Sequence, residues 1–183
     1  MTATASNWNT PLDNRAEKRV PLREITLFAV LGAMTFAAKF AMAFLPNIEP
    51  VSLFVMLFGV VFGWKGLYPV YVYVTLESLW FGIGTWNINY LYIWALLLVA
   101  AILLRQMQHP LSWALLSGVY GLMFGALCAP VDVFIGGFSY AVTKWASGIP
   151  FDLAHCAGNF VIALLLFVPL RKLLEKLYAK LKA

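Results

Sequence analysis

Four ionisable side chains, Lys39, Glu77, Asp152 and His155, stand inside long apolar runs of a chain that is 62% hydrophobic and only 11% charged. A mean hydropathy of +0.82 suits a bilayer, where a buried ionisable group is costly and marks a ligand path, a proton relay or an ion pair. Asp152 and His155 are one helical turn apart, and Asn159 follows a turn later, so on a helix the three share one face. These residue types allow two chemistries. One is a polar pocket for an organic ligand, shaped by Lys39, Glu77, Asp152, His155 and Asn159. The other is acid and base work by Asp152 and His155, as in a membrane-embedded hydrolase, although no nucleophile accompanies them. A structural reading stands beside both: Lys39 and Glu77 as an ion pair, Asp152 and Asn159 as caps or cross-links between helices.

Other chemistry is not encoded in recognisable form. The chain has no His-Glu-x-x-His, no Gly-x-Ser-x-Gly and no phosphate-cradling Gly-rich Lys loop, so it is not expected to be an enzyme or to hydrolyse ATP. His155 adjoins Cys156, but neighbours on a helix point about 100° apart, a poor start for a metal site. No metal is expected. Cys128 and Cys156 read as small apolar fillers. The net charge of +5 is confined to the ends and the turns between apolar runs, a topology signal rather than a nucleic-acid surface.

The elements that must position these groups are helices in a membrane. With 183 residues the chain can make about six crossings of roughly 20 residues each. The expected fold is an all-α integral membrane bundle of six helices. A polar N-terminal arm (1–24) precedes a membrane domain (25–172), and a basic amphipathic tail (173–183) follows it. The basic arm and first apolar run imitate a signal peptide, but Lys39 and the spans that follow argue for a retained helix. The expected spans are 25–45, ended by Pro46 and Pro50, then 51–63, a tight Gly63 to Gly66 turn, 67–81, 90–104, 111–129 and 149–170. At 13 residues the second span is too short to stand alone in lipid and must pack among neighbours. Residues 131–148, punctuated by Gly136-Gly137, are expected to form a long outer loop that packs back as a short helix or re-entrant piece.

With both termini cytoplasmic, eleven of the 13 basic residues fall inside, and Lys39 and Lys144 are the exceptions, in keeping with the positive-inside rule. That orientation puts Lys39, Glu77, Asp152 and His155 in the outer half of the bundle. The outer loops add Asn47, Glu49, Trp86, Asn87, Asn89, Tyr90, Asp132, Phe138, Tyr140 and Trp145. Such a mixture of amides and aromatics suits a polar organic ligand with apolar faces. On the first span Ala29, Ala33 and Ala37 recur every fourth residue, with Gly32 and Ala41 extending the stripe. A smooth stripe of this kind lets another helix approach closely, inside the bundle or on a partner.

The six-span layout, the alanine stripe and the sixth-span opening, Ile149-Pro150-Phe151-Asp152 through His155 to Asn159, together resemble the substrate-binding S components of energy-coupling factor (ECF) vitamin transporters. The resemblance covers residues 25–172. Asn47 to Leu53, Asn89 to Trp94, Phe124 to Cys128 and Ile149 to Asn159 resemble the cobalamin-specific members most. It implies a multi-pass protein of the bacterial cytoplasmic membrane that captures cobalamin or a related corrinoid outside and delivers it inward. The partners implied are a membrane T component, docked on Ala29, Ala33 and Ala37, and two ATPase subunits that use ATP and Mg. The S component itself has no cofactor. Lys39, Glu77, Trp86, Asn87, Asn89, Tyr90, Phe138, Tyr140, Asp152, His155 and Asn159 are the expected ligand-binding residues. Another vitamin or a modified nucleobase is the alternative ligand.

Overall fold

The computed structural model describes residues 21–45 and 48–182, and all its regular elements are helices. They are α1 (Leu22–Ala41), α2 (Val51–Phe62), a 3-10 turn (Gly63–Gly66), α3 (Leu67–Phe81), α4 (Thr85–Leu103), α5 (Pro110–Leu122) and a long stretch, Phe124–Lys182. That last stretch breaks at Gly137 (φ 82, ψ 175), and its arms are α6 (124–136) and α7 (138–182). Four helical stretches, Leu22–Ala41, Val51–Phe81, Thr85–Leu103 and Pro110–Lys182, are long and apolar enough to cross a membrane. A multi-pass membrane protein requires such stretches.

Two of the four fold back on themselves. Gly63 (φ 60) opens the turn between α2 and α3, and Gly66 lies so close to Phe58 that an added Cβ would sit 2.7 Å from the Phe58 carbonyl oxygen. Only glycine fits there. Short as it is, α2 packs against α4 and the long C-terminal stretch. Val51, Leu53, Val55, Met56 and Phe58 are almost wholly buried, which meets the requirement that a short helix be surrounded by protein.

The second reversal corrects the expected loop over 131–148, because helix continues on both sides of Gly137. Of the adjacent glycines only Gly137 leaves helical geometry. The arms then pair as an antiparallel hairpin, tied by Lys144 Nζ on Asp132 Oδ1 at 2.6 Å and by the Gly125 amide donating to Asp152 Oδ1 at 3.1 Å. Pro130 does not end the fifth span as expected; the helix yields at Met123 and resumes through Pro130, whose fixed φ is helical and whose cost is one missing donor. The tail is likewise a continuation of α7, not a separate piece. Cys128 and Cys156 are free thiols.

Helix α4 begins at Thr85, five residues before the expected start. Asn87 explains the difference. Its Oδ1 accepts from the Gly84 amide and its Nδ2 donates to Ser78 Oγ at 2.6 Å, capping α4 and tying it to the end of α3.

Helices α1 and α3 run side by side. Near the start of α1, Lys65 Nζ donates to Glu24 Oε2 at 2.6 Å, and Tyr178 of α7 donates to Glu24 Oε1 at 2.8 Å. Midway, Gly32 faces Val72 and Pro69 with no room for a methyl group. This places Gly32 on the buried side, opposite the exposed Ala29, Ala33 and Ala37, and removes it from the expected stripe. On the other flank of the bundle Trp113 of α5 stacks on Phe167 of α7 at 4.3 Å. The Met107 carbonyl accepts from both Trp113 Nε1 and Arg171.

Candidate functional site

At the end of the bundle remote from Glu24, α1, α3 and α4 bring Lys39, Glu77 and Tyr90 together. Lys39 Nζ donates to Glu77 Oε2 at 2.8 Å and to Tyr90 Oη at 3.5 Å, and Glu49 Oε2 lies 3.6 Å away. The aromatic faces of Tyr73 and Tyr90 flank the ammonium at 5.9 and 5.5 Å, a favourable setting for a desolvated cation. Burial raises the pKa of the Glu49 carboxyl, with Lys39 opposing and Glu77 adding to the rise.

Lys39, Glu49, Glu77 and Tyr90 line a cavity of about 270 Å³. Glu49, Ile48 and Leu45 from the α1–α2 linker contribute one side, Phe81 of α3 and Phe124 of α6 another, and His155 of α7 faces it from the hairpin. The His155 ring packs against Phe124 with centroids 5.0 Å apart. Among the described residues two polar atoms of lining side chains have no partner, Glu77 Oε1 and His155 Nε2, on side chains only 3% and 4% exposed. A buried polar atom left unpaired costs on the order of 1–3 kcal/mol, so their pairing within a bound complex is worth a comparable amount.

Of the residues expected to bind a ligand, Lys39, Glu77, Tyr90 and His155 meet at this cavity. Trp86 stands behind it, edge-on to Tyr90 at 5.1 Å. The others have different duties. Asn87 caps α4. Asn89 is buried and accepts from Tyr92, whose hydroxyl also reaches the Leu127 carbonyl. Asp152 fastens α7 to α6 through Gly125, and Asn159 donates to Ser52 and to the Ser117 carbonyl, cross-linking α7 to α2 and α5. Phe138 and Tyr140 are exposed at the hairpin tip, with Lys144 over the Tyr140 ring. Asn47 lies outside the described residues.

Glu49 is the residue that reading the sequence placed only among loop polar groups. Its signal was position: a carboxylate just past the end of the helix that carries Lys39, held by Pro50 at the start of α2. Phe124 enters the sequence reading only through the resemblance of Phe124 to Cys128, since an aromatic in an apolar run is by itself ordinary core. A larger hollow of about 700 Å³ runs along α3 past Trp64, Tyr68, Tyr71 and Thr75, but its one charged residue, Lys65, is spent on Glu24. It is an apolar surface groove, and the chemistry lies elsewhere. Among the described residues no three His, Cys, Asp or Glu side chains gather as a metal site.

Compared with protein-family models, curated proteins and solved structures, the chain shows no significant match.

Proposed function

We propose that the chain is the substrate-binding S component of an ECF-type importer in the bacterial cytoplasmic membrane. The observation that carries this reading is the cavity at one end of an apolar bundle, where Lys39, Glu49, Glu77, Tyr90 and His155 converge. In this reading α1, α2, α3, α4, the α5–α6 pair and α7 make six crossings with both termini cytoplasmic, and the cavity opens outward. Its ligand is captured there and delivered inward with a T component and two ATPases that consume ATP and Mg. The chain contributes binding and no catalysis. Asp152 does not line the cavity that His155 faces, which counts against the hydrolase.

The motif resemblance favours cobalamin or a related corrinoid. A corrinoid exceeds about 270 Å³, so only one edge would enter the cavity, with the rest held against the surrounding helix ends. A second reading, a smaller vitamin or modified nucleobase, is favoured by the volume, which lies just below the roughly 300–1,000 Å³ of sites that enclose drug-sized ligands. Titrating the purified chain in lipid nanodiscs with cobalamin and then with smaller vitamins separates them. Saturable cobalamin binding that the others cannot displace supports the corrinoid. Tight binding of a smaller vitamin, with none of cobalamin, removes it and keeps the importer.

The T component is proposed to dock on Ala29, Ala33 and Ala37, all exposed on α1. Ala33→Leu is expected to leave ligand binding intact and abolish co-purification with T and ATPase subunits. An intact complex that still transports would remove the docking role.

A further inference from the structure

A lone lysine at a cavity would suit an anion, but the surroundings of Lys39 argue the reverse. An ammonium has three N–H donors and no acceptor. Around Lys39 stand three oxygen partners: Glu77 Oε2 at 2.8 Å, Tyr90 Oη at 3.5 Å and Glu49 Oε2 at 3.6 Å. Glu77 and Tyr90 accept two of its hydrogen bonds, and Glu49 stands against the ammonium just beyond hydrogen-bond distance. With Glu77 and Glu49 both facing one ammonium, an incoming carboxylate or phosphate meets no surplus positive charge.

Unused capacity lies on the acceptor side. As the carboxylate partner of an ammonium, Glu77 can only accept, and its Oε1 is buried and unpartnered among the described residues, on a side chain that lines the cavity. His155 Nε2, equally buried and unpartnered, donates or accepts according to tautomer. Phe40, Phe81 and Phe124 provide apolar surface around these atoms. Leaving a polar atom unpaired in such a place is what makes a site reject an analogue lacking the matching group.

We propose that the cavity recognises its ligand by a nitrogen-borne N–H group, a primary amide or a protonated amine, donated to Glu77, and that it discriminates against the corresponding carboxylate. This deepens the reading of the chain as a binding subunit and rests on it. A corrinoid would present a propionamide here; a smaller ligand would present its own amide or amine.

The test uses the full chain in nanodiscs and compares cyanocobalamin with its monocarboxylates, each having one propionamide hydrolysed to propionate. At least one monocarboxylate is expected to bind about tenfold or more weakly than the intact corrinoid, the scale of one lost charge-assisted hydrogen bond. In Glu77→Gln, whose amide can meet a carboxylate as a donor, that gap is expected to shrink to about threefold or less. A merely structural role for Glu77 would lower both affinities and leave their ratio unchanged. Equal binding of every monocarboxylate, or an unaltered gap in Glu77→Gln, overturns the proposal. Should a folded sample ignore cyanocobalamin, the corrinoid reading fails by itself. Nicotinamide against nicotinate and pyridoxamine against 4-pyridoxate then pose the same question. Binding confined to the amide and amine members supports recognition through N–H; a carboxylate that binds as well as its counterpart overturns it.

Discussion

Glu24 and Glu77 are both carboxylates about 3% exposed, at opposite ends of the bundle, each set against a lysine: Lys65 in the turn before α3, and Lys39 on α1. Glu24 has both oxygens occupied, by Lys65 and by Tyr178. The Tyr178 ring closes the site edge-on against Phe62 at 4.8 Å, with Lys182 over its face at 4.2 Å. At Glu77 one oxygen holds Lys39 and the other has no partner. A C-terminal helix thus completes one end, and among the described residues nothing plays that part at the other. Equal burial and equal charge do not make equal surroundings: Glu24 is bonded at both oxygens, and Glu77 keeps one without a partner among the described residues.

The comparison breaks hardest at Lys39. Lys39→Met strands Glu49 and Glu77 without their cation and is expected to cost about 3–5 kcal/mol, the usual penalty for leaving a buried charge uncompensated. Adding Glu77→Met should recover the larger part of that loss, since apolar replacement of a buried pair is often neutral, while ligand binding stays lost. Thermal unfolding in detergent beside a binding titration reads both. Next comes Gly32→Ala, midway between the two ends, where the new methyl would sit 2.6 Å from Val72 and 2.7 Å from the Pro69 carbonyl. Overpacking of this kind costs about 1–3 kcal/mol, so a midpoint unchanged by this variant would mean that α1 and α3 are not in contact there.

Lys65→Met should cost less than Lys39→Met, about 1–2 kcal/mol, because Tyr178 still bonds Glu24 and the lysine is half exposed. Binding by the folded fraction should be unaffected, and a weakened affinity would show that the two ends are coupled. The smallest effect is expected from Tyr178→Phe, which removes one hydrogen bond and keeps the ring: about 1 kcal/mol in unfolding, with no change in titration.

Much of the helical frame was legible because apolar runs, prolines and glycines announce themselves. Lys39, Glu77 and His155 were legible as ionisable groups without an excuse in an oily chain. The pairing at the other end was not, since Glu24 stands at the edge of a basic segment and reads as interface, while Tyr178 lies in a tail whose lysines suggest a solvated helix. The 131–148 hairpin was misjudged for a local reason. Two adjacent glycines suggest a loop, yet one positive φ is enough to reverse a helix and the other glycine stays helical. Trp86, Asn87 and Asn89 were read as loop because the amide that starts α4 looks, in sequence, like a polar residue awaiting a ligand.

The ties between α1 and the unit of α3 with its leading turn occur at three heights: Glu24 to Lys65 of the turn, Gly32 against Val72 and Pro69, Lys39 to Glu77. From Glu24 to Lys39 the axis runs about 22 Å at 1.5 Å per residue. Two close-packed rods pinned at top, middle and bottom resist sliding past each other, so the pair forms a stiff panel. On the proposed importer reading, a ligand then reaches the cavity from its other sides, past Glu49 and past Phe124 and His155 of the α6–α7 hairpin.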